Sequence, residues 1–214
     1  MKTIIYNTNL YNFQEQVKVW FGDIDLTQLH IVKEYEHFDR EHDQSTDWHK
    51  KFYEMFNKDE IFQDSYHRFL TDEIKPRYGE DIVYQKIPTF RVHLPGNVSV
   101  GEFHKDKHYR NVEWAEKVKE TNYYLPLTKA YGTNTIWAET EEDKGDFKPF
   151  DSDYGECIEW NASNLTHGNK DNITNSTRVS FDFRVIPKSR YIESEHLTIN
   201  TKIPFGIGGY YEVL

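Results

Sequence analysis

Residues 82–103 read IVYQKIPTFRVHLPGNVSVGEF. β-Branched and aromatic residues crowd the first half, Pro95-Gly96 breaks the run, and an apolar alternation resumes at Val98. Side chains of this kind fit a pleated, half-buried surface, and a Pro-Gly pair marks a turn. The stretch therefore predicts two short strands, Ile82–Val92 and Val98–Phe103. Similar runs follow at Asn122–Leu127, Thr135–Glu139, Glu156–Trp160 and Thr177–Ile186, with Gly132, Gly145, Gly155 and Gly168 in the breaks. Regularly spaced short strands predict a β-sandwich or barrel, and a jelly roll in particular.

Upstream the pattern differs. Ser45-Thr46-Asp47 precedes Trp48, Phe52, Met55 and Phe56, an apolar set at helical spacing behind a capping residue. A second helix is expected from Asp59 to Ile74, ending before Pro76, with Ile61, Phe62, Tyr66, Phe69 and Leu70 on one face. The whole is mainly β with flanking helices. We expect one domain over residues 1–214, in which a helix-rich part, 1–80, braces a jelly-roll core, 81–214.

The chain has 214 residues, a net charge of −10 and 16% aromatic residues. It has no strongly basic stretch, which argues against nucleic acid as a partner. No run is long and apolar enough to span a membrane, and the first residues do not read as a signal peptide. Cys157 is the single cysteine, so no internal disulfide forms. A cytoplasmic protein is expected.

The turn after Val98–Phe103 carries His104-Lys105-Asp106. In an extended chain, residues two apart point the same way, so one imidazole and one carboxylate can reach one ion. A second histidine would complete the two-histidine, one-carboxylate set of non-haem Fe(II) oxygenases, which leaves positions open for a cosubstrate and O2. His167, in Asn164–Asn169, is the candidate; His108 is its rival. His37-Phe38-Asp39 repeats the His-x-Asp pattern, but in a stretch that reads as helical, where residues two apart diverge.

Shortly after His167 comes Arg178-Val179-Ser180, inside the strand Thr177–Ile186. Arg178 and Ser180 share a face. A guanidinium fork with a neighbouring hydroxyl suits a carboxylate, here the distal carboxylate of 2-oxoglutarate. Arg184 falls on the same face and is expected as an ion-pair partner.

The ordered set His104-x-Asp106, His167, Arg178-x-Ser180 resembles the Fe(II)/2-oxoglutarate-dependent dioxygenase superfamily. Tyr131–Trp137, YGTNTIW, resembles the phytanoyl-CoA dioxygenase-like branch. His167–Phe183, HGNKDNITNSTRVSFDF, is more similar still to streptomycin-biosynthesis StrG-like oxygenases. The resemblance spans roughly residues 85–190. It implies a double-stranded β-helix, Fe(II) as metal, 2-oxoglutarate and O2 as cosubstrates, and hydroxylation of an unactivated C–H bond with release of succinate and CO2. Desaturation or ring closure is also compatible with it.

Further residues are assigned around this pocket: Asn111 to the cosubstrate, Arg91 and Trp137 to the substrate. The acidic segment Glu139–Asp153 is expected as a loop at the pocket mouth, favouring a small, cationic substrate. The competing readings are a cupin-like metal-dependent isomerase or ligand-binding module, and a β-sandwich interaction domain without chemistry.

Overall fold

In the computed structural model, residues 1–35, 44–100, 102–194, 196–197 and 203–214 are described. Along the chain lie β1 (Lys2–Ile5), α1 (Phe13–Trp20), α2 (Leu29–Val32), α3 (Asp47–Phe56), α4 (Glu60–Phe69), β2 (Ile82–Gln85), β3 (Thr89–His93), α5 (Val112–Val118), β4 (Thr121–Pro126), β5 (Ile136–Ala138), β6 (Lys148–Pro149), β7 (Glu156–Trp160), β8 (His167–Asn169), β9 (Arg178–Pro187) and β10 (Tyr211–Val213). His37-Phe38-Asp39 lies outside the described residues.

The strands form two antiparallel sheets. The larger runs β1-β7-β4-β9-β2-β10, with β3 also paired to β9; the smaller runs β6-β5-β8. Strand β9 organises the larger sheet, because β4 lies along one side of it and β3 and β2 follow one another along the other. The strand expected over Ile82–Val92 is thus two. From Tyr84 to Thr89 the chain advances further than its partner does from Val185 to Asp182, so residues bulge out at Lys86-Ile87-Pro88. Pro88 offers no N–H to a ladder, which places the break there.

Alternation separates the two faces of the larger sheet. Val179, Phe181, Phe183 and Val185 of β9, Phe90 and Val92 of β3, and Tyr123 and Leu125 of β4 join one apolar cluster with the helices. Phe52 of α3 stacks on Phe90 at 4.1 Å, and Phe13 of α1 meets Phe181 edge-on at 5.2 Å. On the opposite face, Tyr124, Ile158 and Trp160 pack with Ala138 of the smaller sheet and with Phe150. The larger sheet is therefore sandwiched between helices and the smaller sheet.

Thr46 caps α3 as expected, accepting from His49 N, and Asp59 caps α4 by accepting from Ile61 N and Phe62 N. The second helix is shorter than its pattern. After Phe69 the chain widens into a π turn over Leu70–Ile74 that keeps Leu70 and Ile74 fully buried ahead of Pro76. Gly101 lies outside the described residues, and among the described residues of the expected strand Val98–Phe103 none is in a strand. Gly96 and Asn97 are tied to Asn172 through Gly96 N–Asn172 O and Asn172 N–Asn97 O, so this segment follows a loop and not a ladder. Among the described residues, no helix is long and apolar enough to cross a membrane.

Candidate metal centre

His104 and His167 meet as an isolated antiparallel bridge, His104 N donating to His167 O at 2.8 Å and His167 N to His104 O at 2.9 Å. Their rings lie 4.4 Å apart. Each ring is fixed in the same manner: His104 Nδ1 bonds Glu102 O at 2.8 Å and His167 Nδ1 bonds Leu165 O at 2.9 Å. A carbonyl only accepts, so both Nδ1 atoms carry the proton and both Nε2 atoms present a lone pair. Trp160 closes on the His167 ring edge-on at 4.7 Å, and Tyr109 on His104 at 4.9 Å.

Asp106 completes the group. Lys105 is extended, with φ −111° and ψ 132°, and this returns Asp106 to the side of His104. Asp106 N donates to Ala162 O at 3.0 Å. Asp106 Oδ1 lies 3.4 Å from His104 Nε2 and 3.6 Å from His167 Nε2. Ligand atoms of all three residues fall within 4.8 Å of one another, a spacing one cation can bridge. Burial pushes the Asp106 carboxyl up, while the guanidiniums of Arg184 and Arg110 pull it down, and the carboxyl lies well below the usual range. Burial lowers His167 to about 4, so its imidazole is neutral at pH 7. His108 lies in the following 3-10 turn and does not join the group.

Arg178 and Ser180 do share a face, with Arg178 Nη1 donating to Ser180 Oγ at 2.8 Å. Arg178 is 1% exposed, and its Nε donates to Asn134 O at 2.9 Å. His93, opposite Arg178 in the ladder, bonds the same carbonyl through Nδ1 at 3.0 Å. Beside these groups are buried donors with no hydrogen-bond partner among the described residues. They are Tyr124 Oη, whose ring is 6.0 Å from the guanidinium, and Asn134 Nδ2; Trp160 Nε1, next to His167, is a third.

Two assignments are corrected. Asn111 is exposed and caps α5, its Oδ1 accepting from Trp114 N at 2.9 Å. That side chain serves a helix end, as Asn commonly does. Trp137 turns to the side of β5 opposite Ile136 and Ala138, which pack inward. Its Nε1 donates to Gly132 O, and the exposed Lys170 sits 3.2 Å from the ring centroid. Arg91 does lie on the polar face of β3, its Nε 3.7 Å from Asp182 Oδ1. Arg184 pairs with Asp106 itself, Nη2 to Oδ2 at 2.8 Å.

The acidic loop spends its charge on its neighbours. Lys105 Nζ meets Asp143 at 2.6 Å and Glu142 at 3.3 Å, and Lys107 Nζ meets Glu142 at 2.9 Å. Lys144 takes Glu141 and Asp146. The loop is thereby strapped to the segment that carries Asp106, and Phe103–Phe147 packing at 5.0 Å adds to the strap. A cationic substrate gains no support from charges already neutralised.

Residues the sequence reading missed include Tyr124, Trp160, Asp182, Asn122 and Glu120. The signal for Asp182 was present: Arg178, Ser180, Asp182 and Arg184 recur at period two, against the apolar phase of the same strand.

Fold and site together define a helix-backed antiparallel β protein with a two-histidine, one-carboxylate cluster whose Asp106 is paired to an arginine of β9. No family model matches the chain. It is 39% identical over 177 residues to the streptomycin biosynthesis protein StrG of Streptomyces griseus, covering 82% of this chain and 80% of that protein. The chain belongs to the StrG family. Among solved structures, the nickel complex of the non-heme monooxygenase ThoJ is similar at 13% identity and TM-score 0.46, covering 86% of this chain and 73% of that one. HygX of Streptomyces hygroscopicus, with nickel, 2-oxoglutarate and hygromycin B bound, is similar at 10% identity and TM-score 0.38, over 67% and 74%. At those scores the likeness decides nothing about the chemistry of this chain.

Proposed function

We propose that this protein is an Fe(II)- and 2-oxoglutarate-dependent oxygenase that hydroxylates a C–H bond of a small molecule, with release of succinate and CO2. The observation that carries the reading is the convergence of His104, Asp106 and His167, with both Nδ1 protons committed to carbonyls. In support, three neutral or anionic ligands on one side suit a divalent iron and leave coordination positions open. Similarity to a protein of streptomycin biosynthesis supports a small molecule as substrate. The two facing sheets support a double-stranded β-helix, the jelly-roll form, and we take residues 1–214 as one cytoplasmic domain whose helices brace the sheet.

The buried donors provide a test of fit for the cosubstrate. An unsatisfied buried donor costs about 1–3 kcal/mol, and Tyr124, Asn134 and Trp160 each carry one. An acid with oxygens at both ends would satisfy such donors. His104, Asp106 and His167 would hold the metal, and Arg178 with Ser180 the distal carboxylate of 2-oxoglutarate. Bound together, iron and 2-oxoglutarate would supply the oxidising power for C–H attack. The protein's own part is to orient and to exclude water: Asn134 O aims the Arg178 guanidinium, while Trp160 and Tyr109 wall the imidazoles. Formation of succinate from 2-oxoglutarate under air tests the proposal. Fe(II)-dependent succinate from wild type and none from His167→Ala is expected; equal succinate from both would end it.

A further inference from the structure

Asp106 divides its carboxylate between the two histidines and Arg184. Oδ1 faces the two Nε2 atoms, whereas Oδ2 takes a charge-assisted bond from Arg184 Nη2 at 2.8 Å. The guanidinium is itself held on its other sides. Nη1 donates to Tyr210 Oη at 2.7 Å and to Gln85 Oε1 at 3.3 Å, and Nε lies 3.2 Å from Glu120 Oε1. Glu120 is gripped in turn by Arg110 Nη1 at 2.6 Å and by the Tyr211 hydroxyl. The backbone is fixed from the same place. Asn122, opposite Arg184 in the β4–β9 ladder, accepts from Ala162 N at 3.3 Å, and Ala162 O accepts from Asp106 N at 3.0 Å.

Resting on the metal-site reading above, we infer that Arg184 is a positioning residue that occupies Oδ2, so that Asp106 presents a single oxygen to the metal. A carboxylate free at both oxygens can close on a cation with both, and would then take a position that a chelating acid needs. Arg184 keeps that position open. Tyr210, just before β10, and Tyr211, its first residue, belong to the same device, which connects β10 to the metal centre. The positive charge of Arg184 also competes with a cation for Asp106, so loss of charge and loss of geometry act in opposite directions on affinity. Lysine separates them, because it keeps the charge and lacks the fork.

The test begins with Mn(II) calorimetry on wild type and His167→Ala. One-site binding that disappears in His167→Ala upholds the metal reading; no binding by wild type ends that reading and the inference with it. Arg184→Lys and Tyr210→Phe then address the inference, with circular dichroism as the check on folding. Infrared difference spectra on metal binding report carboxylate geometry, since the splitting between the two carboxylate stretches is wide for one-oxygen ligation and narrow for chelation. Arg184→Lys is expected to bind Mn(II) about 10–100-fold more weakly than wild type, the usual effect of losing a partner behind a ligand. Its splitting should narrow, and Tyr210→Phe should shift both readouts the same way by less. Wild-type affinity and splitting in folded Arg184→Lys would overturn the inference, as would a narrow splitting in wild type. Should Arg184→Lys not fold, Tyr210→Phe decides alone, and wild-type values there overturn it equally.

Discussion

On one face of β9, Val179, Phe181, Phe183 and Val185 meet the aromatic side chains of α1, α3 and α4, all four of them fully buried. On the other face, Arg178, Ser180, Asp182 and Arg184 meet carbonyls, hydroxyls and carboxylates, and Arg184 reaches Asp106. One backbone serves both, since successive side chains of a strand leave on opposite sides. The apolar face makes the strand immobile, and the immobile strand can hold charged groups where their burial is costly. Burial raises the Asp182 carboxyl against the pull of Arg91 and Arg184. The division teaches that the two faces should fail differently when altered: one in stability, the other in binding.

Phe181→Ala attacks the apolar face. It should lower unfolding free energy by about 3–5 kcal/mol in urea denaturation, while the fraction that remains folded keeps wild-type Mn(II) affinity. A loss of metal affinity in folded protein would break the division between faces. Arg178→Gln attacks the polar face where it is buried. 2-Oxoglutarate binding to the metal-loaded protein should weaken on the order of 10–100-fold with metal affinity preserved, measured by calorimetry.

The histidine behind the apolar side sharpens the comparison through pH. His49 is buried against Phe90, its Nε2 accepts from Val92 N, and burial, with Arg91 and Arg178, lowers it to about 3. Its folded value lies below its unfolded one, so the unfolded chain takes up the proton first. The stability this neutral ring contributes is complete above the unfolded value of 6.5 and is lost as pH falls toward 3. At pH 5 the loss should be about 2 kcal/mol, and His49→Gln should flatten that part of the stability profile. Tyr124→Phe is the mildest test. Its hydroxyl has no partner among the described residues, so thermal stability should hold, while 2-oxoglutarate affinity drops by up to about tenfold.

Much of this was legible in the sequence, for physical reasons that also explain what was not. Strands β7 and β9 and the cap of α3 follow from alternation and from Thr46. The pairing of His104 with Asp106 follows from side-chain direction in extended chain, and His167 from its place ahead of Arg178-x-Ser180 in the ordered set. Edge strand β1, whose Ile5 is exposed, and three-residue β10 show too little alternation to be read, because an edge needs less apolar patterning than a central strand. Val98–Phe103 has the composition of a strand, but composition cannot announce that no ladder partner arrives. Asn111 is suggested by its nearness along the chain to His104, and Trp137 only as a wall of the pocket. A helix start at Val112 claimed the first, and the inward turn of Ile136 and Ala138 sent the second outward. Arg184 was placed on the correct face, but its grip on Asp106 depends on β4, β10 and the 160s loop, elements that no local pattern connects.

The most direct test of the central claim is anaerobic titration of the apoprotein with Fe(II) and 2-oxoglutarate, followed in the visible range. A weak charge-transfer band that saturates at one equivalent, is lost in His167→Ala and needs far more 2-oxoglutarate in Arg178→Gln is the predicted result. Absence of the band in wild type, with metal bound and indifferent to 2-oxoglutarate, would contradict the account.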